Sequence, residues 1–280
     1  MDITLMTERH LAAADELRRL AGWNQTAEDW RALLSLEPDG CFVAVDTGGV
    51  IGTVTTTTYG GELAWIGMML VHPEHRRRGI GTRLMQTALD YLKKSRGINC
   101  VRLDATPAGR PVYDKLGFVA EWTFTRHLVR SVSGRPSKGT RELTKGDWPA
   151  IERFDSTVFG VSRTRVLQAV TQASRSALVW PNQGPVLGYG VLRPGSQSDY
   201  LGPLVCVTPA ASRPLVGALL RAANGRSVFW DIADDNTPVI ELAKDFDFKP
   251  VRPLTRMRLG SDAVRTNLAA QIAMADPSIG

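Results

Sequence analysis

The stretch Val71-His72-Pro73-Glu74-His75-Arg76-Arg77-Arg78-Gly79-Ile80-Gly81-Thr82-Arg83-Leu84-Met85 decides how this chain is read. The apolar run Trp65 to Val71 leads into it, and Leu84, Ala88, Leu89 and Leu92 recur at helical spacing beyond it. The pattern is strand, short loop, helix. The first N–H groups of a helix lack intrahelical partners and sit at the positive end of its dipole, so an anion docks there. Gly79 and Gly81 let backbone approach a ligand closely and adopt dihedrals that other residues resist. Three adjacent arginines add forked donors suited to phosphate. The stretch therefore predicts a cradle for a pyrophosphate. A solvated arginine face would account for the charges but leaves the two glycines unexplained.

Farther along stands Tyr113-Asp114-Lys115-Leu116-Gly117-Phe118. The spacing Arg76-x-x-Gly79-x-Gly81 resembles the acyl-CoA signature, Gln/Arg-x-x-Gly-x-Gly/Ala, of the GCN5-related N-acetyltransferase (GNAT) family. Tyr113-x-x-Leu116-Gly117-Phe118 resembles that family's Tyr-x-x-Leu-Gly-Phe. The resemblance covers residues 1–130 and implies acetyl-CoA as acyl donor. It also implies that the strand end Met69, Leu70 and Val71 splays from its neighbour and bonds the pantetheine arm as an added strand. Arg77, Arg78, Gly79, Ile80, Gly81 and Thr82 match the pyrophosphate loop, and Arg76 matches the first motif position, which supports the loop. Tyr113 matches the general acid beside the CoA sulfur; a phenol with a reference pKa near 10 stays protonated at neutral pH. One departure stands out. Thr106 to Val112 is about one helical turn shorter than the family's segment and lacks its usual Asn.

Around this core the chain reads as strand Asp2 to Met6, with Thr7 as candidate N-cap, and helices Leu11 to Gly22 and Ala27 to Leu36. Strands Cys41 to Asp46, Val50 to Tyr59 and Leu63 to Val71 come next. Then follow helix Thr82 to Ser95, stopped by Gly97, strand Cys100 to Ala105, helix Pro111 to Leu116 and strand Phe118 to Val129. Residues 131–139 are small, polar and broken by Gly and Pro, a linker by composition.

Residues 140–260 repeat the rhythm. Helices are expected near 147–159, 163–173, 211–223 and 237–244, and strands near 176–181, 185–193, 199–207, 228–232 and 250–259. Phe246-Asp247-Phe248 stands where the first copy has Leu116-Gly117-Phe118, which sets Ala243 opposite Tyr113. No Gly-x-Gly follows the strand ending at Val207, and Pro209 and Pro214 remove donors from the helix start. Asp155-x-x-x-Phe159-Gly160-x-x-Arg163 resembles a stretch in the C-terminal domain of some bacterial tandem acetyltransferases. It reads equally as a helix ending in Gly beside a surface arginine. Residues 261–280 are left as a C-terminal tail. The expected fold is α/β (α+β): two tandem GNAT-like domains, each a mixed, mostly antiparallel sheet flanked by helices, the second without cofactor chemistry.

The acceptor side is less legible. The Gly22-Trp23-Asn24-Gln25 loop and Trp65 are candidate substrate contacts. No carboxylate stands on Trp65-Ile-Gly-Met-Met-Leu, where many family members carry the general base, so Glu62 and Asp104 are the nearest candidates. His72 and His75 flank the loop, where a stabilising role fits them better than catalysis.

At 280 residues, 43% hydrophobic and 22% charged, the chain has the composition of a two-domain globular protein. No apolar run approaches the length of a membrane span, and Met1 to Leu5 carries no secretion signal. Cys41, Cys100 and Cys206 sit apart in apolar runs and read as buried thiols of a cytoplasmic protein. No Cys/His spacing suits a metal. The net charge of +6 gathers at Arg76 to Arg83 and from Arg126 to Arg141, not in a stripe interleaved with aromatics. Attraction to an anionic cofactor is therefore the simpler reading than nucleic-acid binding. The resemblance implies N-acetyl transfer to a primary amine of a small molecule. A protein N-acetyltransferase and an acyl-CoA sensor without turnover are the alternatives.

Overall fold

The computed structural model describes residues 1–132 and 138–280, so the middle of the expected 131–139 linker lies outside the described residues. The chain forms two compact units. The first comprises Met1–Val119, Met257–Ala263 and Pro277–Gly280; the second comprises Ala120–Arg256 and Val264–Asp276. These groupings differ from boundaries drawn along the sequence at both ends. The strand expected to close the first copy leaves at residue 119, and part of the expected tail belongs to each unit.

In the first unit, β1 (Asp2–Leu5), β2 (Phe42–Asp46), β3 (Gly49–Tyr59) and β4 (Leu63–Val71) pair antiparallel in sequence order. β5 (Cys100–Ala105) joins β4 in parallel. Helices α1 (Leu11–Leu20) and α2 (Ala27–Leu36) follow β1. The Thr26 hydroxyl accepts from the Asp29 N–H, and the Asp29 carboxylate accepts from the Thr26 N–H, closing a reciprocal cap at the start of α2. Helix α3 (Ile80–Asp90) continues into a wider turn, Tyr91–Ser95. Its Ile80, Leu84, Met85 and Ala88 bury against Val54, Ala64, Ile66, Val101 and Leu103. Met257 completes this core, and the Ser261 N–H donates to the Asn99 carbonyl, so the chain's late residues finish the first unit.

Strand alternation then fixes the other face. Ala64 and Ile66 face α3, so Trp65 and Gly67 face away from it, opposite Thr57 and Thr55 on β3. A bulge interrupts β4 beyond Gly67: three steps from Gly67 to Leu70 oppose two from Thr55 to Thr53. Met68 takes φ 46°, and its carbonyl accepts from the Thr53 hydroxyl at 2.7 Å.

In the second unit, β7 (Arg141–Glu142), β8 (Ser176–Trp180), β9 (Gly188–Arg193) and β10 (Asp199–Cys206) pair antiparallel. β11 (Val228–Ala233) joins β10 in parallel, and β6 (Val119–Val129) runs antiparallel to β11 from Phe124↔Ala233 to Val129↔Val228. The strand expected to close the first copy thus closes the second unit. α5 (Trp148–Phe159), α6 (Thr164–Gln172), α7 (Pro209–Ala222) and α8 (Thr237–Asp245) supply the helices, and β12 (Lys249–Gly260) follows α8. α7 packs Leu215, Val216, Leu219 and Leu220 into the larger core cluster. The expected tail is ordered here too: β13 (Gln271–Ala273) pairs antiparallel with β10.

Candidate functional site

The β4–β5 ladder holds only at Ala64↔Val101 and Trp65↔Arg102, although both strands run on. Past that point the two strands part. The bulge at Met68 re-aims the end of β4, so Met69 and Val71 again lie against the α3 core. Leu70 is buried. The side chains of the predicted strand end are packing residues, and its backbone borders the gap where β4 and β5 part.

The loop after β4 is built from the residues the sequence singles out, with their duties redistributed. Left-handed backbone falls on Arg77 (φ 61°) and Gly79 (φ 76°), the latter capping α3; Gly81 is helical. Gly81 serves through space instead. A Cβ there would meet the Met69 side chain at 3.4 Å and the Val71 side chain at 3.7 Å, so the helix start packs closely on the end of β4. The Arg76 guanidinium donates to the Val71 carbonyl at 3.1 Å and ties the loop to β4. Arg77, Arg78 and Thr82 are exposed, while Ile80 is buried and offers only its backbone. His75 sits 3.6 Å from the Asp46 carboxylate, and the His72 ring accepts from the Glu74 N–H. Both histidines fasten the loop. The result is a helix N-terminus flanked by free-standing cations and opening beside parted strands, a geometry that suits a phosphate-bearing chain.

Tyr113 lies on α4 (Arg110–Lys115), buried in the α3-side core and edge-on to Phe118 with ring centres 6.1 Å apart. Burial pushes its pKa up to about 12, so the phenol keeps its proton. The Tyr113 carbonyl accepts from the N–H groups of Leu116 and Phe118, and Gly117 takes φ 87°. In the second unit the Ala243 carbonyl accepts from Phe246 and Phe248 in the same way, and Asp247 takes φ 64°. Ala243 and Tyr113 therefore hold one backbone position in two copies. α4 spans 6 residues and α8 spans 9, so the shortening of the first copy's helix shows inside this molecule.

The acidic candidates separate. Glu62 is exposed in the turn between β3 and β4, its N–H bonded to the Tyr59 carbonyl. Asp104 stands on β5 beyond the last ladder pair. Val101, Leu103 and Ala105 face α3, so Asp104 shares the other face with Trp65 and Gly67. Trp23 is half-buried, and its carbonyl accepts from Arg18 at 3.1 Å; Asn24 is buried beside it.

Sequence reasoning missed what covers Trp65. The Trp65 indole donates to the Pro277 carbonyl at 3.1 Å, and the Tyr59 hydroxyl donates to the Ile279 carbonyl at 2.6 Å. A Cβ on Gly67 would come within 2.3 Å of the Ser278 carbonyl oxygen. The signal was available in the apolar run Leu268 to Ala275, which is no composition for a loose tail.

The second copy has the same bulge and a different occupant. Between Leu201 and Leu204, β10 gains one residue on β9, as β4 does on β3. The β10–β11 ladder ends at Leu201↔Trp230, and β13 fills the space beyond. The Cys206 N–H donates to the Ala270 carbonyl, the Met274 N–H to the Asp231 carbonyl, and the Trp230 indole to the Ile272 carbonyl. α7 opens on Pro209, with the Thr208 hydroxyl taking the Ala211 N–H, and Pro214 lies inside it.

Two further readings change. Asp155 and Arg163 form a fully buried two-pronged ion pair at 2.9 and 3.0 Å, joined by the Tyr189 hydroxyl, so the arginine is internal and not on the surface. Arg126, counted with the linker cations, is buried on Asp231 at 2.7–2.8 Å. Cys41, Cys100 and Cys206 are buried and unpaired by disulfides; burial pushes the Cys41 thiol up to about 12. Among the described residues no His, Cys, Asp and Glu side chains cluster as a metal site, and no helix is long and apolar enough to cross a membrane.

Comparison with known proteins matches this architecture. A model of the acetyltransferase (GNAT) family matches residues 8–118, and one of an acetyltransferase (GNAT) domain matches residues 151–272. The uncharacterized N-acetyltransferase YitH of Bacillus subtilis is 25% identical over 230 residues, 80% of this chain and 79% of its own. The holothin acyltransferase of a Pseudoalteromonas species is 24% identical over 243 residues, 86% of this chain and 81% of its own. A Pyrococcus horikoshii protein assigned as an acetyltransferase has a crystal structure that matches with a TM-score of 0.85 at 25% identity. That match covers 100% of this chain and 95% of the other. With both halves matched by the same family and one copy retaining its loop, the chain belongs to the GNAT acetyltransferases and carries the domain twice.

Proposed function

We propose that the first unit transfers an acetyl group from acetyl-CoA to the primary amine of a small molecule, by direct attack in a ternary complex in the cytoplasm. The observation that carries this reading is the parting of β4 and β5 beside an intact α3 loop. The pantetheine amides bond the backbone of Met69, Leu70 and Val71 as an added strand would. The pyrophosphate rests on the N–H groups of Gly79 to Thr82, with Arg77 and Arg78 neutralising it and Arg76 bracing the loop.

The amine approaches beside Asp104, where β4 and β5 part. Its nitrogen lone pair forms the new C–N bond, the C–S bond breaks, and the ammonium loses a proton through Asp104 or a water beside it. Tyr113 donates a hydrogen bond to the departing sulfur. With the phenol held near 12 and a thiol near 8.5, complete proton transfer is uphill. The hydroxyl thus stabilises negative charge on sulfur while the proton released by the amine finally neutralises it. Trp23 and Asn24 border the entrance.

The test is thiol release from acetyl-CoA against a panel of small primary amines. Amine-dependent release supports the reading. Acetyl-CoA binding with no release by any amine would make the protein a sensor.

A further inference from the structure

One buried hydroxyl bonds the backbone where β4 bulges. Met68 and Met69 fall inside the bulge: the β3–β4 ladder passes from Gly67 to Leu70, and the β4–β5 ladder ends at Trp65. A bulge leaves its extra residue without a place in the ladder. Met68 also takes φ 46°, a left-handed conformation that residues other than glycine resist. A strand in that state can slip by one residue and turn every following side chain to the other face. The Thr53 side chain opposes such a slip. It is 0% exposed, and its hydroxyl donates to the Met68 carbonyl at 2.7 Å. Val54 packs towards α3, so Thr53 reaches Met68 from the opposite face. At the far end of the same segment the Arg76 guanidinium holds the Val71 carbonyl. The stretch Met68–Val71 is therefore staked by a side chain at each end.

We propose that Thr53 is a positioning residue for the acyl donor. Its hydroxyl locks the bulge at Met68 and so fixes the backbone of Met69, Leu70 and Val71, which borders the gap between β4 and β5. This deepens the transferase reading and rests on its placing of acetyl-CoA in that gap. Backbone groups already fixed in the bound geometry cost a ligand less ordering than mobile ones. The second copy supplies the contrast. Ile66-Gly67-Met68-Met69 corresponds to Leu201-Gly202-Pro203-Leu204: Ile66 faces α3 as Leu201 faces α7, and a Cβ on either glycine would meet a carbonyl of the chain's late residues. The pair Thr53↔Leu70 then corresponds to Tyr189↔Val205. There the Tyr189 hydroxyl is turned to the Asp155 carboxylate, and β13 fills the cleft. The latch is kept where the strands part and given up where β13 lies between them.

The test uses the whole chain. Thr53→Val keeps the shape and loses the hydroxyl, whereas Thr53→Ser keeps the hydroxyl and loses a methyl. Each is measured by calorimetry with acetyl-CoA, by thiol release with an amine that the wild type accepts, and by thermal unfolding. Thr53→Val should weaken acetyl-CoA binding by about tenfold and lower kcat by about the same factor, with the amine KM within about twofold of wild type. Thr53→Ser should stay within about twofold of wild type in affinity and rate, even where it melts below the valine variant. A threonine that only packs gives the reverse order, because valine fills the space and serine leaves a cavity. Serine binding acetyl-CoA no better than valine, or valine at wild-type affinity and rate, overturns the latch. Where Thr53→Val does not fold, Thr53→Ala takes its place against serine with the same expected order. The affinity comparison needs no acceptor. A wild type that binds acetyl-CoA and acetylates nothing therefore removes the transferase reading, while the order of serine and valine still decides the latch. A wild type that does not bind acetyl-CoA removes both.

Discussion

Two clefts of common design have been put to different uses in this chain. Both carry a bulge at the same register, in β4 and in β10, and in both the next parallel strand peels away. In the first unit the gap stays open beside a loop rich in glycine and arginine. In the second the ladder runs through three pairs instead of two, and β13 occupies what is left. The lesson concerns backbone hydrogen bonds. A sheet that parts in its middle exposes donors and acceptors that must be met by something. For the first unit we propose a ligand in that role, while the second satisfies them with its own chain. Once β13 sits there, nothing selects for a phosphate cradle, and Pro209 and Pro214 at the head of α7 are tolerated.

The sharpest way to break this contrast is to count ligands and then destroy the open cradle. One acetyl-CoA per chain is expected by calorimetry; two would mean that β13 yields. Gly81→Val should cut affinity by at least about a hundredfold, since a β-branched residue at the helix start restricts the backbone and removes its close approach to the ligand. The melting temperature should move little, because the nearest atoms are the flexible end of Met69 and a methyl of Val71. Unchanged affinity would refute the cradle.

Next in size is Tyr113→Phe, the change that makes the first copy more like the second at this position. A loss of about 10²-fold in rate with unchanged acetyl-CoA affinity is expected, the lower end for acid–base assistance. The pH profile carries a sign. Because burial raises the phenol's pKa to about 12, the hydroxyl stays protonated through the ordinary tyrosine range. The wild-type rate should show no fall assignable to Tyr113 between pH 8 and pH 10, where an exposed tyrosine with a pKa of about 10 would begin to ionise. A descending limb near 10 that vanishes in Tyr113→Phe would contradict the burial argument.

Asp104→Asn should cost about tenfold in kcat/KM, with Glu62→Gln near neutral. The sequence could not separate these acids, since Glu62 is a chain neighbour of Trp65 while Asp104 comes beside it only through the pairing of β5 with β4. Strand alternation and the end of the ladder at Arg102 separate them at once. The same division runs through the whole molecule. Local signals were legible: the helix Ala27–Leu36, the run Leu63–Val71, the loop and the Tyr113 motif all depend on neighbours in sequence. What depended on distant pairing was not. The departure of β6 to the second unit, the return of Met257–Ala263 to the first and the filling of the second cleft by β13 are fixed by partners more than a hundred or only tens of residues away. No window of sequence encloses them. The loop glycines show a subtler limit, because the left-handed turn fell to Arg77 and Gly79 and left Gly81 to guard space.

The smallest effect tests whether the two copies still share backbone demands after their functions parted. Gly117 and Asp247 close the same turn after α4 and α8, each with the carbonyl three or four residues back accepting in the same pattern. Both take left-handed dihedrals, φ 87° and φ 64°. Glycine adopts these freely, whereas a side chain costs about 1 kcal/mol, less for aspartate, whose short polar group tolerates the region. Gly117→Asp should therefore destabilise by less than about 1 kcal/mol in denaturant unfolding, its Cβ meeting only the Leu259 side chain at 3.5 Å. Asp247→Gly should lie within about 0.5 kcal/mol of wild type, because relief of the backbone is offset by the greater freedom glycine gives the unfolded chain. If the exchange at 117 were neutral and that at 247 costly, the aspartate would have acquired contacts of its own. The second copy would then have diverged in the turn as it has in the cleft.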